Sequence, residues 1–245
     1  MEKKLCSFAA VALAISLLAP RCGGKSTEAQ VLKQQEGSTV SLQLEFSRKN
    51  RNTLQRAMSL LLDPGPNGYA SGFLVGGGLL MTAYHVVSGD LSDSKKLALG
   101  FTPGEQLEVK VYANGCQATV IKVDMEADLA LLAVCRSPKQ TRTPAFQNTL
   151  TKDEKLLLIA RPHGDKIVSQ GVFYGPYTFR GQQYWSVKID GRDGYSGSPV
   201  YNQKAEIVGV FSGYDWSQKL ALISPGVRAQ KLLEDYVSSP KPGSN

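Results

Sequence analysis

Both histidines of this chain, His85 and His163, precede its most chemically suggestive serine. That serine, Ser196, lies in the stretch GRDGYSGSPV at 191–200, between small residues and ahead of a β-like run. Flanking glycines let a backbone adopt positive φ and let another chain come close. A serine presented this way can attack a carbonyl only if a base takes its proton. The order of residues removes one fold class. An α/β-hydrolase elbow reads G-x-S-x-G and takes its histidine from after the serine. Here Ser198 stands where the last glycine belongs, and no histidine follows. The order left is histidine, aspartate, serine. His85 in LMTAYHVV (80–87), Asp128 in ADLALL (127–132) and Ser196 supply it.

Taken together, T-A-x-H-V, D-L-A-L-L and G-x-S-G-S-P resemble the trypsin-like, chymotrypsin-fold serine peptidases. The likeness is nearest the bacterial branch of HtrA/Deg proteases and staphylococcal glutamyl endopeptidases, without a PDZ module. It extends over about residues 57–237. It implies an all-β fold of two packed six-stranded antiparallel barrels with a C-terminal helix. It also implies a serine endopeptidase working through an acyl-enzyme. In that reading His85 is general base and then acid, Asp128 orients it, and Ser196 attacks. The backbone N–H groups of Gly194 and Ser196 would form the oxyanion hole. A catalytically silent binding protein of the same fold is the alternative.

Each assignment has a competitor in the sequence. Ser198 falls on a small-residue position of the motif. His163, in RPHG at 161–164, sits in a turn setting with no catalytic counterpart in the family. Asp124 and Glu126 are acids near Asp128, but Asp128 directly precedes an apolar run. Digestive relatives carry aspartate where Tyr195 stands, so activation by a newly cut N-terminus is not expected. For substrate binding the resemblance points to Phe211, Ser212, Gly213 and Tyr214 along one strand, and to Asp190 by counting back from the serine. Phe211 replaces the histidine of glutamyl endopeptidases, which speaks against a preference for glutamate.

The strand pattern is consistent with this. Short apolar runs at 71–75, 79–83, 97–101, 106–112, 117–123 and 129–134 predict a first barrel at about 57–137. Runs at 155–160, 168–173, 182–189, 198–201, 207–212 and 220–223 predict a second at about 154–224. Turn signals such as DPGPNG (63–68) and GGG (76–78) separate them. Ser224 and Pro225 predict the cap and first turn of a closing helix over 225–237, with a polar tail at 238–245.

The N-terminus reads as a secretory leader over 1–24, with Lys3 and Lys4 ahead of an apolar 6–19. Cys22 also permits a lipid-anchored reading. Residues 25–56 are mostly polar and are expected to be an arm or linker, although 40–46 alternates weakly. Export to a periplasmic or extracellular site permits disulfides. Folding 117–123 back on 129–134 brings Cys116 and Cys135 almost opposite each other, so a disulfide is expected, with two buried free thiols as the alternative. Net charge is +7. The basic residues are scattered and not interleaved with aromatics, so polypeptide substrates rather than nucleic acid are expected partners. The apolar leader is short for a membrane span. Two histidines without zinc-type ligand spacing predict no metal, and no cofactor is expected.

Overall fold

A computed structural model describes residues 28–49, 65–135 and 143–239. The leader with Cys22, the apolar run 57–62 and part of the link between the two halves lie outside the described residues.

The first half is one seven-stranded antiparallel sheet, ordered β5-β4-β1-β2-β3-β7-β6. Its strands are β1 (Thr39–Arg48), β2 (Gly68–Gly76), β3 (Leu79–Ala83), β4 (Leu107–Ala113), β5 (Cys116–Gln117), β6 (Thr119–Asp124) and β7 (Leu129–Ala133). The edge strands β5 and β6 are consecutive in the chain, separated by Ala118 alone. The sheet therefore curls into a half-barrel rather than closing as the expected six-stranded barrel. The second half is a closed six-stranded barrel. It comprises β8 (Lys155–Ala160), β9 (Ile167–Phe179), β10 (Gln182–Val187), β11 (Pro199–Tyr201), β12 (Ile207–Asp215) and β13 (Leu220–Pro225).

Two segments correct the sequence reading. Within the expected polar arm, residues 39–48 form β1, the strand between β2 and β4. Val40, Leu42, Leu44 and Phe46 point into the core, while Glu45 reaches Lys110 at 3.2 Å and the Tyr112 hydroxyl at 3.0 Å on β4. Of the polar alternate residues, Gln43 is exposed and Ser41 and Glu45 are half-buried, while Thr39 and Ser47 at the strand's ends are buried. Just before it, helix α1 (Glu28–Gln35) buries Val31 against the second barrel's side of the core. Conversely, the expected strand at 97–101 is the end of a short helix, α3 (Asp93–Ala98), capped by the Ser92 side chain accepting from Lys95 N–H. Leu97 is exposed there, so its apolarity marks no sheet face.

Three apolar clusters hold the molecule together. One fills the curled sheet around Leu42, Leu80 and Leu132. Another fills the closed barrel around Leu158, Val200 and Ile223. The third lies between the halves, where Met81, Leu129 and Leu131 meet Ile159, Tyr201 and Val210. β7 serves two of them by the period of two: Leu129 and Leu131 face the seam, Ala130 and Leu132 the sheet's own core. Helix α4 (Gly226–Val237) closes the seam with Ala229, Leu232 and Leu233. Arg228 locks α4 to β6 through a forked contact with Asp124 at 2.7–3.0 Å. The helix begins one residue later than expected, with Pro225 as its cap, because Ser224 still lies within β13 and its hydroxyl donates to the Ala127 carbonyl.

Candidate active site

His85, Asp128 and Ser196 meet on the seam. His85 opens helix α2 (His85–Ser88), two residues beyond the end of β3. Asp128 directly precedes β7 and has φ +52°, a left-handed conformation that aspartate tolerates better than most residues. Because β3 and β7 pair from Leu79↔Ala133 to Ala83↔Leu129, the residues just past their paired ends are side by side. Tyr84 N–H donates to the Asp128 carbonyl at 3.0 Å. The His85 N–H donates to Asp128 Oδ1 at 2.9 Å, and its ring Nδ1 lies 2.8 Å from Oδ2. A carboxylate can only accept, so Nδ1 carries the proton and Nε2 is left to accept. Nε2 stands 2.7 Å from Ser196 Oγ. The side chains go from sheltered to open along this line: Asp128 is 12% exposed and His85 40%.

Ser196 sits on a turn that only glycine can make. Gly194 and Gly197 have φ +83° and +82°. A Cβ on Gly197 would fall 2.0 Å from Thr82 Oγ1 and 2.2 Å from the Ser71 carbonyl. A Cβ on Gly194 would fall 2.4 Å from Pro162. The turn is thus pressed against the first sheet on one side and the 161–164 turn on the other. Among the described residues, neither the Gly194 nor the Ser196 N–H has an acceptor, while Tyr195, Gly197 and Ser198 N–H are all engaged. Two neighbouring backbone donors therefore remain free beside the serine hydroxyl.

Ser71 on β2 ties this turn to both halves, a role with little signal in the sequence. Fully buried, it receives Arg161 N–H at Oγ (2.9 Å) and donates the same hydroxyl to the Gly194 carbonyl (2.9 Å). Its own N–H donates to the Ser196 carbonyl at 2.9 Å. Its carbonyl accepts from Thr82 Oγ1 at 2.8 Å. A hydroxyl inside an otherwise apolar strand run is the one hint the sequence offers. Ser212 and Ser224 make a comparable tie behind Asp128. Ser212 Oγ lies 2.7 Å from Ser224 Oγ, which donates to the carbonyl of Ala127.

The competitors lie elsewhere. Ser198 is buried and its Oγ has no partner among the described residues. His163 packs its ring on Tyr69, centroids 4.2 Å apart. An open cleft of about 730 Å³ runs past Ser196 and His85. Phe211, Ser212, Gly213 and Tyr214 line it; Asp190 does not. Asp190 is exposed, which corrects its expected place in a specificity pocket. Cys116 and Cys135 form a disulfide, with Cα atoms 6.3 Å apart, remote from the cleft lining.

A curled sheet and a closed barrel with histidine, aspartate and serine aligned on their seam define the chymotrypsin class of folds. The profile of the family described as trypsin-like peptidase domain matches residues 70–210, from within β2 to the first part of β12. The chain belongs to that family. A search of curated proteins found no match. Among solved structures, it is similar to the active form of the Rv3671c protease from M. tuberculosis. That likeness has 18% identity and a TM-score of 0.62, covering 87% of this chain and 86% of that one. The inactive form of the same protease gives 18% identity and a TM-score of 0.55, over 84% and 91%. At this identity the likeness is one of fold.

Proposed function

We propose that this chain is an exported serine endopeptidase that cleaves peptide bonds through an acyl-enzyme on Ser196. The observation that carries the reading is the unbroken line from Asp128 Oδ2 to His85 Nδ1 and from Nε2 to Ser196 Oγ, at 2.8 and 2.7 Å. In the first half-reaction Ser196 Oγ attacks the carbonyl carbon and its proton passes to His85 Nε2. Asp128 holds the ring and stabilises the imidazolium. The free N–H groups of Gly194 and Ser196 receive the developing oxyanion. His85 then gives the proton to the departing amine. In the second half-reaction it takes a proton from water as the water attacks the ester carbonyl, and returns that proton to Ser196 Oγ as the C–O bond to the serine breaks.

The leader-like N-terminus and the Cys116–Cys135 disulfide support export. No helix among the described residues is long and apolar enough to cross a membrane.

The test is hydrolysis of a mixed library of internally quenched peptides by wild type and Ser196→Ala. The reading predicts turnover by wild type and a fall in kcat of roughly 10⁶ in the variant. Equal turnover by both proteins would overturn it.

A further inference from the structure

Gly191 is buried at the base of the cleft, and the space where its side chain would stand is filled by Tyr214. A Cβ on Gly191 would lie 2.5 Å from Tyr214 Cδ2, 2.6 Å from Cγ and 2.7 Å from Cβ. The ring therefore rests directly on the Gly191 backbone. Gly191 belongs to the loop that leads into Ser196, and Tyr214 to β12. The two walls of the cleft on this side are joined by one aromatic ring.

The ring is held in place. The Tyr214 backbone is registered against Ala221 on β13. Its side chain packs on the core of the second barrel. Trp216 meets it edge-on from outside, centroids 4.8 Å apart. Phe211 and Tyr195 fill the region behind Ser196, also edge-on at 6.0 Å. Asp190 is exposed and does not line the cleft, whose charged lining on this loop is Arg192 and Asp193.

The free donors of Gly194 and Ser196 fix where the attacked carbonyl oxygen sits. The side chain of the residue carrying that carbonyl must then enter between the 191–194 loop and the edge of β12. We propose that Tyr214 is the specificity-determining residue of this cleft and restricts that position of the substrate to glycine, alanine or serine. A larger side chain would compete with the ring for the same volume. This rests on the peptidase reading above.

The test is a series of quenched peptides identical except for Gly, Ala, Phe, Lys or Glu before the cleaved bond. It is run beside labelling of Ser196 by a small fluorophosphonate, on wild type and on Tyr214→Gly, Tyr214→Ser and Tyr214→Phe. Wild type should favour Ala over Phe by about 100-fold in kcat/KM. Any small variant that still labels should shift the Phe-to-Ala ratio toward Phe by tenfold or more. Tyr214→Phe, which keeps the ring, should retain the wild-type ratio. Labelled wild type that cleaves Phe, Lys or Glu peptides as well as Ala would overturn the inference alone. So would a labelled small variant with an unchanged ratio. Absence of both label and turnover in wild type would overturn the peptidase reading, and the inference with it.

Discussion

Asp128 holds His85 twice, once by the backbone N–H at 2.9 Å and once by the ring at 2.8 Å. The carboxylate thus fixes both the position of the residue and the direction of its imidazole. The φ of +52° at Asp128 lets its carbonyl receive Tyr84 N–H while both carboxylate oxygens face His85. Asp128→Asn keeps the size of the side chain but brings an amide donor toward groups that need an acceptor. By the precedent of chymotrypsin-type enzymes, kcat should fall by about 10⁴ with the fold retained. Peptide hydrolysis and near-UV circular dichroism on the purified variant check this. Loss of less than tenfold would show that the carboxylate does not orient the base.

Ser71 should influence the rate without touching substrate. Ser71→Ala removes the hydrogen bond to the Gly194 carbonyl and leaves the half-buried Arg161 N–H without its acceptor. The orphaned donor should cost about 1–3 kcal/mol of stability. The loosened turn should lower kcat by about tenfold while KM moves little, because the oxyanion contact is made in the transition state. Steady-state kinetics separates the two. A change confined to thermal stability would make Ser71 a purely structural tie.

The disulfide should matter for stability and not for chemistry. Cys116 and Cys135 are 19 residues apart, and in the chain-entropy account closing a loop of that size stabilises by about 3 kcal/mol. Cys116→Ser with Cys135→Ser should lower Tm, while the pattern of peptides cleaved at a lower temperature stays the same. Calorimetry and a cleavage map check the two halves of the statement.

Stability should fall at both extremes of pH through identifiable groups. Tyr201 is fully buried at the seam, and burial pushes its phenol up to about 12 from the ordinary 10. The folded state keeps a proton that the unfolded state releases. Its contribution is complete below pH 10 and is lost as pH rises toward 12. At the acid end, hydrogen bonds from Ser217 and Tyr177 hold Asp215 at about 2 instead of 3.8. That contribution is present above pH 4 and lost as pH falls through 2. Tyr201→Phe should flatten the alkaline limb of a denaturation profile, with Tyr184, also near 12, setting what remains. Asp215→Asn should flatten the acid limb. An unchanged profile in either variant would contradict the assignment for that limb.

Much of this was readable in advance because catalytic geometry depends on a few side chains at the ends of strongly patterned strands. β3 is apolar but for Thr82, β7 is apolar throughout, and both are bounded by turn residues, so His85 falls just after one strand and Asp128 just before the other. β1 was hidden for the opposite reason. Its core face is Val40, Leu42, Leu44 and Phe46, but its solvent face and flanks are polar, and the average over 25–56 resembles a linker. Leu97 misled in reverse, as an apolar residue on an exposed helix. The ties made by Ser71 and by Ser212 with Ser224 depend on which strands become neighbours across the seam. The 90 residues separating Ser71 from Arg161 make that partnership invisible to local pattern. Asp190 is exposed and outside the cleft lining, a placement that counting back from Ser196 does not reveal because spacing along a loop carries no direction for a side chain.

The central claim is that Ser196 is an activated nucleophile, and the most direct measurement is intact mass after treatment with a fluorophosphonate. The account predicts one adduct on the folded wild-type protein, located to Ser196 by peptide mapping. Ser196→Ala should give none and His85→Ala should label far more slowly. Well-folded wild type that takes up no adduct, or takes it up on another serine such as Ser198, would contradict it.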